Sequence, residues 1–319
     1  MKRFSVLLIV GLITLTAKAQ YNLDVGLKLG ASNYLGEMGG KEGVGRNFIY
    51  DLKLSQTRFA AGTFVRYRIT PLVSVNTGFS YFRLQGDDKL STNPGRAGRN
   101  LNFRNDMFEW YLRSEFYYFT ENDVGGRGRR RMDFRAAAFL GTAIATSNPK
   151  ANYQGEWIPL RPLRTEGQVR EYSRVIFALP AGLGFYFTYK RRQRMGLEFS
   201  WYTTFTDYLD DVSSVYPDES LLTSDLAIAL SNRNPELGSI SEGTYDLDLY
   251  PHPANYGSRT DLQGSLIQEQ RGNPDNNDSY LLVNLTYSYV LRGKSNFYRQ
   301  RYGWLVGKKR RGRKSRAKF

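Results

Sequence analysis

Eight stretches of the chain alternate apolar and polar residues with a period of two, and each is roughly 9 to 13 residues, long enough to cross a bilayer as a tilted strand. The clearest runs from Tyr280 to Leu291. Leu281, Val283, Leu285, Tyr287, Tyr289 and Leu291 share one face, and Asn284, Thr286 and Ser288 share the other. Near the start, Tyr21, Leu23, Val25, Leu27 and Leu29 alternate with Asn22, Asp24, Gly26, Lys28 and Gly30. A first and a last strand of matching pattern can pair and close a sheet into a barrel, which leaves no edge strand exposed.

The remaining six stretches fall between these two. Phe59 to Ile69 and Val73 to Tyr81 flank a Thr70-Pro71 turn. In the fourth, Phe108, Trp110, Leu112, Phe116 and Tyr118 oppose Glu109, Tyr111, Arg113 and Glu115. The fifth, Phe134 to Ala143, turns Phe134, Ala136, Ala138 and Leu140 to the apolar side. The sixth, Phe177 to Phe187, contains Pro180, which cannot donate to a ladder and predicts a bulge. The seventh runs from Met195 to Phe205. Long connections, at 31–57, 86–105, 144–173 and 207–278, alternate strictly with short ones at 70–71, 121–131 and 190–193. Within the longest, Leu222, Leu226 and Leu230 behind Pro217 predict a short helix over Asp218 to Ser231. An even count with alternating loop lengths predicts an all-β fold: an eight-stranded antiparallel up-and-down transmembrane β-barrel with long extracellular loops and a basic periplasmic C-terminal tail.

Composition agrees with a lipid-facing sheet. Aromatic residues make up 14% of the chain, with 23 Tyr and 19 Phe, yet the mean hydropathy is -0.50. After the N-terminus no apolar run is long enough for a transmembrane helix. Met1 to Ala19 reads as a secretory signal peptide, with Lys2 and Arg3, an apolar run from Phe4 to Leu15, and Ala17-Lys18-Ala19 before Gln20. The predicted organisation is therefore a leader at 1–19, a barrel at 20–291 and a tail at 292–319, in the outer membrane with both termini periplasmic. An eight-stranded barrel has an interior that side chains fill. Arg66, Glu109, Arg113, Glu115 and Glu198 fall on the inward face, so opposite charges are expected to pair there and leave no open pore. A water-soluble barrel of the lipocalin kind is the competing fold, and it would put the apolar faces inside.

Charge is placed unevenly. The net charge is +15, and without Lys2, Arg3 and Lys18 it is +12, all of it carried by Arg292 to Phe319, which hold twelve Lys and Arg and no acid. The short turns lie at the same end as the termini, and two of them are basic: one has Arg127, Arg129, Arg130 and Arg131, the other Lys190, Arg191 and Arg192, with Arg194 close behind. In the tail, Tyr298, Tyr302 and Trp304 alternate with Arg299, Arg301 and Gly303, a segment able to extend along a partner. From Lys308 and Lys309 onward it is basic without apolar period. Such an end attracts acidic proteins and anionic outer-membrane lipid. Nucleic acid would suit the same composition, but export removes it as a partner.

Catalytic signals are missing. There is no cysteine, and the one histidine, His252, stands between Pro251 and Pro253 without evident partners. Asp210-Asp211, and Asp246 with Asp248, read as solvated loop acids rather than a calcium site. No enzyme, cofactor or metal is expected. An adhesin or receptor working through 207–278 is one alternative; a lipid-modifying enzyme is another, opposed by the lack of a nucleophile-base pair.

Four phrases carry a family resemblance: AQYNLDVGLKLGASNYLGEMGG, YDLKLSQTRFAAGTFVRYRITP, GDDKLSTNPGRAGRNLNFRN and TTFTDYLDDVS. They resemble the PorG-type family, small outer-membrane barrels of the type IX secretion system of Bacteroidota. The resemblance implies a non-enzymatic component that associates with a periplasmic ring of a PorK-type lipoprotein and a PorN-type subunit, serving protein export and, in some bacteria, gliding.

Overall fold

The computed structural model describes residues 23–38, 54–124, 132–261 and 265–291. Its wall is made of β1 (Leu23–Leu35), β2 (Arg58–Arg68), β3 (Val73–Asp87), β4 (Asn102–Glu121), β5 (Met132–Thr146), β8 (Val175–Tyr189), β9 (Gln193–Thr204) and β12 (Ser279–Leu291). Each pairs antiparallel with the next, and β12 returns to β1 with Leu23 opposite Leu291 and Leu35 opposite Ser279. The predicted closure is therefore present, and the wall is a closed eight-stranded barrel. A hairpin of β6 (Lys150–Tyr153) and β7 (Glu156–Pro159) leans on β4, and β10 (Ser258–Thr260) pairs with β11 (Leu266–Gln268) apart from the barrel.

Several strands run further than the apolar period foretells. β1 continues through Leu35, β3 through Asp87, and β4 starts at Asn102 and extends for 20 residues. Their extensions replace what the sequence reads as loop. Outward positions there are charged or polar, with Asp106 held by Arg83 at 2.6 Å and by Arg104 at 2.9 Å, so the ladder persists where apolar alternation has ended. The β6–β7 hairpin lies inside the third predicted loop and turns through Gln154 and Gly155, both at positive φ. Four-residue strands ending on Pro159 are too short to show a period.

The predicted helix is shorter than its leucine spacing implies. Residues Glu219–Leu221 form a 3-10 turn, and α2 covers only Asp225–Ser231, after α1 (Pro94–Arg99) in the second long connection. The Ser224 hydroxyl accepts from Ala227 N at 3.2 Å and fixes that start. Pro180 makes no bulge: the β5 ladder skips from Leu140 opposite Ala181 to Ala143 opposite Ala178 in unchanged register, so the proline removes a donor without adding a residue. The irregularity lies instead in β4, between Tyr117 and Phe119.

Side-chain direction identifies the solvent of the wall. Leu27, Leu29, Phe79, Phe108, Leu140, Phe177, Phe199 and Leu285 point outward and are exposed, whereas Asp24, Lys28, Arg66, Glu109, Arg113, Glu115, Arg194 and Glu198 point inward and are buried. A closed barrel with an apolar exterior and a polar interior is a transmembrane barrel, the reverse of the lipocalin arrangement. Leu285 is 67% exposed. In a bilayer, Leu285→Arg is expected to cost about 2–4 kcal/mol in urea titration of vesicle-embedded protein, whereas Leu221→Arg on a loop should stay within about 0.5 kcal/mol. Equal stability of both variants would mean that the wall faces water.

Candidate functional site

The lumen is closed by its own charges. Arg66 Nε donates to Glu115 Oε2 at 2.7 Å and its Nη2 to Glu198 Oε1 at 3.1 Å, while Arg113 Nη2 reaches Glu198 Oε2 at 2.6 Å and Glu115 Oε1 at 3.2 Å. Asn76, Tyr117 and Tyr186 donate to the remaining carboxylate positions. The guanidinium planes lie over rings, Arg66 at 4.3 Å from the Tyr186 centroid and Arg113 at 4.1 Å from that of Phe139. Arg194 pairs with Asp24. Among the described residues, the buried charges of the strand walls comprise Lys28, Arg66, Arg113, Arg135 and Arg194 against Asp24, Glu109, Glu115, Asp133 and Glu198. Five cations thus balance five carboxylates, and the plug is neutral.

Glu109 departs from the simple pairing that its sequence position implies. Tyr280 and Tyr202 donate their hydroxyls to it at 2.9 and 3.1 Å, with the Lys28 charge acting from nearby. Beyond this layer the interior is apolar, with Phe82, Leu84, Phe103, Met107 and Leu282 packed together.

The long connections form a cap over this apolar layer. Leu209 and Val212, from the longest one, insert into the same cluster, and Asn105 Nδ2 holds the Leu209 carbonyl at 2.9 Å. Asp210 and Asp211 are fully buried, which overturns their reading as solvated acids. The hydrophobic insertion of their neighbours pulls them in. Asp211 accepts from Thr165 and from Tyr172 at 2.8 Å, and burial raises it to about 6. Arg271 pairs with Glu166 at 2.9 Å, and Arg99 pairs with Asp88 at 2.8 Å while donating to the Arg271 carbonyl at 2.6 Å. Tyr34 Oη lies 2.7 Å from Asp210 Oδ2 and 2.5 Å from Asp278 Oδ1. Asp246 and Asp248 do stay exposed; Asp246 Oδ1 accepts from the backbone of Asp248 and Leu249. His252 Nδ1 accepts from Ala254 N at 3.1 Å and serves as the cap of a 3-10 turn.

At the opposite end, the basic turn between β8 and β9 is exposed. Lys190 and Arg191 have φ of 48° and 58°, and Arg192 N donates to Tyr189 O at 3.0 Å. Two successive positive φ angles mark a type I′ turn, a conformation that favours Asn-Gly and costs a lysine and an arginine on the order of 1–2 kcal/mol each. Lys190 lies 5.0 Å from the Tyr189 ring centroid, and Arg192 Nη1 donates to the Tyr289 hydroxyl at 3.3 Å. Arg194, which the sequence adds to this patch, instead points into the lumen, because it shares the inward phase of β9 with Glu198, Ser200 and Tyr202. The other candidate contacts, Arg127, Arg129, Arg130, Arg131, Tyr298, Arg299, Arg301, Tyr302, Trp304, Lys308 and Lys309, lie outside the described residues. Leu23 and Leu291 pair at the short-turn end, so the described chain both begins its first strand and ends its last one there.

Together these features define a plugged outer-membrane-type barrel, capped at one end and basic at the other. The chain belongs to the family described as a domain of unknown function, DUF6089, which matches residues 2–227. A comparison with curated proteins gives no match. Among solved structures, the chain is similar to the N-terminal β-barrel domain of Pseudomonas aeruginosa OprF, at 7% identity and a TM-score of 0.33 over 84% of this chain and 97% of that one. It is also similar to Neisserial surface protein A, at 6% identity and 0.35 over 84% and 97%, and to the Yersinia pestis attachment invasion locus protein Ail, at 9% and 0.31 over 85% and 99%.

The lumen network has a measurable signature. Arg66→Ala leaves Glu115 and Glu198 short of a buried counter-charge and is expected to cost about 3–5 kcal/mol, read from denaturant unfolding of the refolded barrel. A loss below about 1 kcal/mol would mean that water and Arg113 compensate fully.

Proposed function

We propose that this barrel is a non-enzymatic outer-membrane component of the type IX protein secretion machinery, which anchors or positions the periplasmic ring, and in gliding bacteria serves motility. The observation that carries the reading is the strained, exposed Lys190-Arg191 turn, set at the end of the barrel where β12 finishes at Leu291, just before the basic stretch of the sequence. Strain of this kind persists where a side chain is needed for more than folding. The long loops face outward and the short turns face the periplasm. Arg127, Arg129 to Arg131, Lys190 to Arg192 and the tail from Tyr298 to Lys309 meet the ring of PorK-type lipoprotein and PorN-type subunit, with anionic outer-membrane lipid as a second contact. The resemblance of the four sequence phrases names the machinery; the charge map supplies the docking face.

A crosslinking pull-down from outer membranes tests this reading, comparing the full chain, a chain ending at Gly293, and the Lys190→Glu, Arg191→Glu, Arg192→Glu triple variant. Ring subunits are expected with the full chain and reduced at least tenfold with the truncation, all three forms keeping heat-modifiable migration. Undiminished recovery with both variants would overturn the docking face.

One observation favours a second reading, a surface receptor. Ile240, Leu247 and Leu249 are exposed beside Glu242, Asp246 and Asp248 on the cap. Deleting 239–250, and leaving the segments that seal the mouth, is expected to abolish surface binding and spare ring recovery if that reading holds.

A further inference from the structure

A tyrosine hydroxyl carries one proton, yet Tyr34 Oη stands within hydrogen-bond distance of two carboxyl groups, Asp210 at 2.7 Å and Asp278 at 2.5 Å. The outer oxygens of both are already committed as acceptors: Asp210 Oδ1 takes Val212 N at 3.0 Å, and Asp278 Oδ2 takes Leu209 N at 3.0 Å. With both acids ionised, Tyr34 can satisfy one of them and must face the other lone pair to lone pair. With one acid protonated, that acid donates to Tyr34 Oη, Tyr34 donates to the second, and every position is satisfied. The closed geometry therefore holds one proton more than the hydroxyl supplies.

We propose that Tyr34, Asp210 and Asp278 form a proton-binding clasp, which locks the long-loop cap onto the barrel rim while one carboxyl is protonated and releases it when both ionise. The clasp joins the end of β1, the start of the longest connection and the residue before β12, so it spans the mouth at the closing seam. Gly36 makes room for it, since a Cβ there would collide with the Tyr34 hydroxyl and Asp278 Oδ1. The groups facing it are Glu37 from the segment after β1, Asp207 from the cap, and Arg99 from α1. Arg99 is engaged by Asp88, so acids outweigh the available positive charge.

The sign follows from burial. Desolvation raises Asp210 to about 7, Asp278 well above the usual carboxylate range and Asp207 to about 8. A carboxyl raised in the closed state binds a proton that the open loop gives up, so closure is favoured in acid and weakens as pH rises through the closed-state value. The clasp works independently of any partner at the other end.

The test uses the full chain in lipid vesicles between about pH 5.5 and 9, a range that brackets the raised carboxyls. Infrared difference spectra are expected to show a protonated-carboxyl band that disappears with rising pH. Proteinase K cleavage within 205–278, corrected for protease activity at each pH, is expected to accelerate by up to about tenfold per pH unit below the closed-state value and to level off above it. Asp210→Asn supplies a permanent donor to Tyr34 and should weaken that band, leaving the contribution of Asp207, and cleave slowly at every pH; Asp278→Asn provides a second route to the same outcome. Heat-modifiable migration confirms folding. Absence of the band from the parent chain, or an unchanged pH dependence in both variants, would overturn the clasp.

Discussion

A strand in hydrocarbon has no water for its backbone groups, so its wall must close on itself, and here the seam that joins the two ends of the sheet is the ladder between β1 and β12. Everything else in the molecule inherits its position from that register. A slip of one residue would send Asp24 and Lys28 into lipid and turn Val25, Leu27 and Leu29 into the lumen. The seam is tight as well as long, because a Cβ on Gly26 would stand 2.6 Å from Ser288 Cβ of β12.

Closure makes the interior a place where charge is expensive. The barrel meets that cost by neutrality and by close pairing: arginines and glutamates interlock in one half, tyrosine hydroxyls hold Glu109 in the middle, and an apolar layer lies under the cap. Such a lumen is plugged by its own side chains among the described residues. The two ends differ in chemistry. The capped mouth gathers Glu37, Asp207, Asp210, Asp211 and Asp278 around Arg99 and Arg271, while the opposite end presents Lys190, Arg191 and Arg192.

The eight strands, their order and their lipid face were legible in the sequence because side chains in a strand alternate strictly and lipid demands an unbroken apolar row, as in Leu281 to Leu291. The inward charges were legible for the same reason, and Arg66, Arg113, Glu115 and Glu198 meet as their phase requires. What only the tertiary structure decided lies where that alternation stops. The polar extensions of β3 and β4 and the β6–β7 hairpin depend on pairing partners distant in sequence. Asp210 and Asp211 look solvated in a loop and are buried because Leu209 and Val212 find an apolar layer built by other strands. Periodicity encodes which way a strand residue faces; burial of a loop residue is set by what the rest of the chain has placed beneath it.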